Sequence, residues 1–195
     1  WDGDFYQGKG VYSLPHPVQP KIPIINAAGS EEGRVFAMRN ADFLFTPVFD
    51  FDQATATVAD ITERAASVNR KVDVLTLCTV VCRPTQKEAD DYLNWYSDEQ
   101  ADWGAVDNLM TLQGMHAQSF TPEALALYRD RMAAGHGGFP LVGTPDTIAD
   151  LLEKLSAAGI AGTTLAFVDY AKEFPYFRQE VLPRLEAKGL RKPVN

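Results

Sequence analysis

The feature that most limits how this chain can fold is the alternation of short apolar strands with helices. Residues 22–26 (Ile22-Pro-Ile-Ile-Asn26) read as a buried strand and residues 31–39 as a helix. Residues 41–46 read as a second strand, and residues 51–69 as a helix. Residues 72–82 read as a third strand and residues 85–104 as a third helix, with Thr85 as N-cap and Glu88 completing a capping box. Further on, residues 147–158 predict a helix closed by Gly159, residues 163–169 a fourth strand and residues 175–188 a last helix. Strands that are β-branched and apolar on both faces belong to a parallel sheet covered by helices. Four such units make half of an eight-fold barrel. A four-stranded parallel sheet alone would expose two edges and one apolar face. The expected fold class is therefore α/β, with residues 1–195 forming a single partial (β/α)8 barrel.

One segment breaks the rhythm. Residues 105–138 hold a helical stretch, 121–132, and a glycine-rich exit, Gly135-His-Gly-Gly138, with no strand expected before the Pro140–Gly143 turn. A helical insertion of this length before the last β/α unit suits a lid, a subunit contact or a mobile active-site loop. At the other end, Phe5, Tyr6, Val11 and Tyr12 around Gly8-Lys9-Gly10 predict a short hairpin, and the prolines of residues 14–20 an extended run.

Composition narrows the function. The chain is 46% hydrophobic and 23% charged, enough to bury a core. A net charge of −8 and the lack of a Lys/Arg-rich run give no electrostatic reason to bind nucleic acid or anionic lipid. The longest apolar stretch, residues 72–82, is too short to span a bilayer. Cys78 and Cys82 share one strand face, too far apart to bridge, and read as core thiols in a reducing, cytoplasmic setting. The spacing of Cys and His offers no metal site. The chain starts at Trp1 with no secretory apolar region, so a truncated or processed chain is expected.

The most informative stretch is Asn26-Ala-Ala-Gly-Ser-Glu-Glu-Gly33, where a buried strand passes through a small-residue turn into a helix. Strand C-termini face the active site in such barrels, and a helix N-terminus offers free N–H groups to a phosphate. Ser30 either adds a hydroxyl to that site or simply caps the helix. Thr144 and Pro145 suit a helix start. His136, among three glycines, reads either as an exposed loop residue or as a catalytic proton donor. His116 has a similar standing, and His16, between prolines, reads as structural or exposed. Asp169 follows the last strand, where it lines a pocket or caps the next helix. Trp95, Tyr96 and Trp103 are expected to lie along one helix as packing or a subunit contact.

The order and spacing of these motifs resemble the bacterial-luciferase-like flavin-dependent monooxygenases, nearest to the pyrimidine-, sulfone- or sulfonate-oxidising members. The resemblance rests on Ile25-Asn-Ala-Ala-Gly-Ser-Glu-Glu-Gly33, Asn40-Ala-Asp-Phe-Leu-Phe45, Gly3-Asp-Phe-Tyr6, Pro15-His-Pro-Val-Gln19, the run from Leu141 to Leu152, and the run from Pro175 to Leu185. It implies the C-terminal half of the barrel, about strands 5–8. It implies reduced FMN supplied by a separate flavin reductase, O2 and a small organic substrate, in a homo-oligomer of the full-length protein. It assigns Ala28, Gly29 and Ser30 to the FMN phosphate, and Gly29 departs from the side-chain donor that relatives carry there. It marks His116, Arg131, His136 and Asp169 as substrate-side candidates. The first four strands would hold much of the flavin ring, so this chain alone is expected to be inactive. Two alternatives stay open: a non-catalytic half-barrel that binds or dimerises, and a deazaflavin-dependent dehydrogenase.

Overall fold

A computed structural model describes residues 1–27, 30–115 and 121–193. Its centre is a parallel sheet of five strands: β1 (Ile25–Asn26), β2 (Phe43–Phe45), β3 (Asp73–Cys82), β4 (Phe139–Gly143) and β5 (Gly162–Ala166). The ten-residue β3 is the spine. Asp73 N–H donates to the Asp42 carbonyl and the Leu75 carbonyl accepts from Thr46, while the Val74 carbonyl accepts from Ala161. Alternate residues of a parallel strand point their backbone groups to opposite sides, so β2 and β5 lie on opposite edges of β3. Arg83 N–H donates to the Gly143 carbonyl, which puts β4 on the same edge as β2, beyond the point where β2 ends.

The four expected strands are thus adjacent in the order β1-β2-β3-β5. β4 is a fifth, in the stretch expected to be only a turn. Pro140 has no N–H to give a ladder, and a proline in a short apolar run argues against a strand. It is tolerated here on a strand paired along one side.

Helices α1 (Glu31–Asn40), α2 (Phe51–Ser67), α6 (Pro145–Ala157) and α7 (Tyr170–Ala187) cover one face of the sheet. Ala37, Ile61, Ile148 and Phe177 from these helices pack with Leu44, Val74, Cys78, Val80 and Leu141 in one core. Burying each large apolar side chain contributes about 1.5–3 kcal/mol. Both thiols are buried and free, as their apolar strand implied. Caps set the helix starts: Asp50 caps α2, Thr144 caps α6 with Pro145 at the first turn, and Thr85 and Glu88 form the expected box on α3 (Gln86–Asn94). Gly159 takes φ +93 after α6. The last helix starts at Tyr170 rather than Pro175, because Asp169 caps it and the proline sits inside.

Among the described residues, no helix covers much of the opposite face. Phe43, Phe45, Leu75 and Leu77 point there half-buried, and Thr164 is exposed. The N-terminal residues do not cover it: Trp1, Phe5, Val11 and Val18 are all more than four-fifths exposed, at 88%, 91%, 84% and 101%. Their turn is also not where the glycines placed it. Gly3 N–H donates to the Tyr6 carbonyl and Asp2 bridges Gln7, so the reversal falls at residues 3–6, before Gly8.

The insertion carries its own small core. The expected third helix breaks into α3, a π-helical turn (Trp95–Glu99) and α4 (Trp103–Leu112), so Trp103 sits on a different helix from Trp95 and Tyr96. Val106 and Met110 of α4 pack on Met132 of α5 (Pro122–Gly135). The chain then returns over the otherwise bare face: a Cβ on Gly135 or Gly138 would lie 2.5 or 2.6 Å from Thr79 Oγ1. No helix among the described residues is long and apolar enough to cross a membrane.

Candidate active site

All five strands run parallel, so their C-terminal ends share one rim, and polar groups collect there. Where β3 and β5 end, a cleft of about 830 Å³ opens. Its centre is Arg83, the residue after β3. Arg83 Nη1 donates to the Cys82 carbonyl at 2.9 Å and Nη2 to Glu173 at 2.5 Å. Its guanidinium carbon lies over Tyr92, 3.9 Å from the ring centroid. Glu173, with a side chain only 8% exposed, also accepts the Val168 and Asp169 N–H groups at 3.1 and 3.2 Å. One carboxylate therefore ties the end of β3 to the start of α7.

Asp169 lies in the same cleft and caps α7, accepting from Ala171 and Lys172 N–H at 3.1 and 3.2 Å. The cap is the one the sequence offered, and the carboxylate also faces the cleft. The Lys172 side chain beside it holds its carboxyl below the usual carboxylate range. Aromatic walls come from Tyr92, Trp95, Tyr170 and Tyr176. The π-helical turn brings Trp95 and Tyr96 to 5.7 and 5.3 Å from Tyr92. Such turns widen the helix by one residue and re-aim side chains, often at functional sites. Burial pushes the Cys82 thiol, on the cleft floor, up to about 11, so it is not a nucleophile at neutral pH.

At the other end of the rim, Ser30 caps α1, its Oγ accepting from Gly33 N–H at 3.1 Å. A hydroxyl that accepts one bond still has its own proton to donate. Asn26 Oδ1, at the end of β1, is buried and has no partner among the described residues. Glu31 turns away to pair with Arg64 of α2. Ala28, Gly29 and His116 lie outside the described residues. Arg131 is half-buried and gives Nη1 and Nη2 to the Val48 and Phe49 carbonyls at 3.2 and 2.8 Å, between the rings of Phe49 and Phe139. Burial lowers its pKa. His136 is exposed, at φ +55, and closes α5. Neither residue lines the cleft with Asp169.

Sequence reasoning missed Arg83 and Glu173. The signal for Arg83 was present: a cation directly after a long apolar strand, at the end that faces a site in parallel α/β folds. Glu173 carried none, because its role depends on the packing of α7 against β3.

The fold and rim define a parallel α/β protein with its candidate site at the strand C-termini. Residues 1–162 match the model of the luciferase-like monooxygenase family, and the chain belongs to that family. It is 32% identical to an FMNH2-dependent dimethylsulfone monooxygenase of Pseudomonas fluorescens, over 96% of this chain and 53% of the relative. A long-chain alkane monooxygenase structure matches with TM-score 0.69 and 26% identity, covering 87% of this chain and 42% of that one. A riboflavin lyase structure with modified FMN and riboflavin matches with TM-score 0.81 at 21% identity, covering 98% and 49%. The chain spans about half the length of the curated relatives it matches.

Proposed function

We propose that this chain is the C-terminal half of an FMN-dependent, two-component monooxygenase. It oxidises a small organic substrate of the sulfone, sulfonate or pyrimidine type, using O2 and reduced FMN from a separate reductase. The observation that carries the reading is the family match across most of the chain, alongside the relative named for FMNH2-dependent sulfone oxidation. The half-barrel reading is supported by the apolar face of Phe43, Phe45, Leu75 and Leu77 and by outer edges of β1 and β5 that have no strand partner among the described residues. A sheet in that state exposes area that a ring of strands would bury.

The residues present fit the flavin's phosphate end. Ser30 Oγ has a proton to donate, α1 offers N-terminal N–H groups, and the orphan Asn26 Oδ1 can accept a hydroxyl. When bound, reduced FMN supplies the electrons and the activated oxygen. Ala28 and Gly29 would bring the backbone close to the phosphate. The cleft at Arg83, Glu173 and Asp169 would hold the substrate, with His116, Arg131 and His136 as substrate-side candidates carried over from the family resemblance and His136 as candidate proton donor.

The test is FMN titration by fluorescence quenching, with this chain alone and with it joined to an N-terminal half of the same family. The joined protein binds FMN tightly and turns over substrate; the chain alone binds weakly and is inactive. Sub-micromolar FMN binding by the chain alone sinks the half-barrel reading. No FMN binding in the joined protein sinks the monooxygenase reading.

A further inference from the structure

The cleft is rich in charge, yet its charges are spent on one another. Arg83 gives Nη2 to Glu173 and Nη1 to the Cys82 carbonyl, and its guanidinium carbon lies over Tyr92. The N–H groups that open α7 are taken as well: Val168 and Asp169 donate to Glu173, and Ala171 and Lys172 donate to Asp169. Lys172 Nζ, at the exposed mouth, pairs with Asp169 at 2.9 Å. Two cations thus face two carboxylates. On the adjoining groove that shares Arg83 and Tyr92, Asp91 is paired with Lys87, and Glu88 adds a negative charge. An anionic substrate would meet the Glu173 and Asp169 carboxylates beside each cation, and its pairing with Arg83 would compete with the largely buried Arg83–Glu173 pair. A neutral molecule competes with neither ion pair and gains contact with Tyr92, Trp95, Tyr170 and Tyr176.

From this we infer that the cleft selects uncharged organic substrates with an apolar body, and discriminates against sulfonates and carboxylates of the same size. The inference rests on the cleft being the substrate site of the proposed monooxygenase, and it narrows the substrate class left open there.

The test needs no flavin. The full 195-residue chain, labelled with 15N, is titrated with hexyl methyl sulfone and with hexane-1-sulfonate, following the Trp95 indole signal, assigned by its loss in Trp95→Phe. The sulfone is expected to bind at least about tenfold tighter than the sulfonate. Glu173→Gln frees Arg83 and is expected to erase or reverse that preference. Equal or tighter sulfonate binding by the unmodified chain overturns the inference, as does a Trp95 signal that neither ligand moves. The unmodified-chain comparison stands even if Glu173→Gln fails to fold. Because FMN is absent throughout, failure here leaves the FMN titration above to be judged separately, and failure there leaves this selectivity measurable.

Discussion

Tyr96 Oη donates to the Ala134 carbonyl at 2.9 Å, joining the π-helical turn to the last turn of α5. The last carbonyls of a helix lack intrahelical partners, and several of those closing α5 are met from outside it or by the residues that follow. Arg131 and Met132 accept from Gly137 and His136, Ala134 from Tyr96, and Gly135 from Gly138 and from Thr79 Oγ1. Burial pushes the Tyr96 pKa up, so its proton stays on to donate. Tyr96→Phe removes one partner and is expected to cost about 1 kcal/mol in urea unfolding. A loss below about 0.3 kcal/mol would mean that water replaces the tyrosine without cost.

Ser30 separates capping from phosphate binding. Ser30→Ala removes the cap on Gly33 N–H and is expected to cost about 1 kcal/mol of stability and to weaken FMN binding in the joined protein. Ser30→Asp keeps the cap but sets a negative charge against the phosphate, so stability holds while FMN affinity falls further. Equal FMN affinity for Ser30→Asp and the unmodified protein would remove Ser30 from the phosphate site.

Arg131 holds the turn after β2 through the Val48 and Phe49 carbonyls. Hydrogen bonds from a charged donor contribute about 1.5–3 kcal/mol each. Arg131→Met removes both and is expected to destabilise by roughly 3 kcal/mol or more and to speed amide exchange at residues 48–50. Unchanged exchange there would mean that Phe49 is held by its ring packing alone.

Gly138 is needed where the chain crosses β3. An added methyl would sit 2.6 Å from Thr79 Oγ1 and 3.0 Å from the Thr79 backbone nitrogen, which cannot move aside. Gly138→Ala is expected to cost about 2 kcal/mol in thermal unfolding. Because residues 135–138 sit over the inner face, the same change should shift the signals of Leu77 and Thr79.

Cys78 gives the alkaline limb its sign. Burial raises its thiol from 9.0 to about 11. The unfolded chain therefore loses this proton first, and binds fewer protons than the folded chain between those values. Stability from this group is whole below pH 9 and declines as pH rises toward 11. The loss is on the order of 2 kcal/mol. Urea midpoints at about pH 8 and about pH 10.5 should fall less in Cys78→Ala than in the unmodified chain. Parallel falls would show that Cys82 and the tyrosines carry the limb.

The sequence by itself determined the strand and helix rhythm, the Thr85–Glu88 box, the Thr144–Pro145 start of α6 and the Gly159 stop. Each is local: periodicity, a side chain reaching its own backbone, or a residue whose φ is free. Asp169 at the rim and the buried pair Cys78 and Cys82 were legible for the same reason. Only the tertiary structure decided the rest. β4 exists because β3 is longer than β2 and leaves an edge open, a fact no window around Pro140 contains. Arg131 donates to carbonyls more than eighty residues away in sequence, a partnership that its own sequence position does not show. Arg83 and Glu173 are ninety residues apart, and neither has a role until α7 packs on the end of β3. Whether the charges in the cleft are free or spent is a matter of ångströms between distant segments, so only packing could decide it.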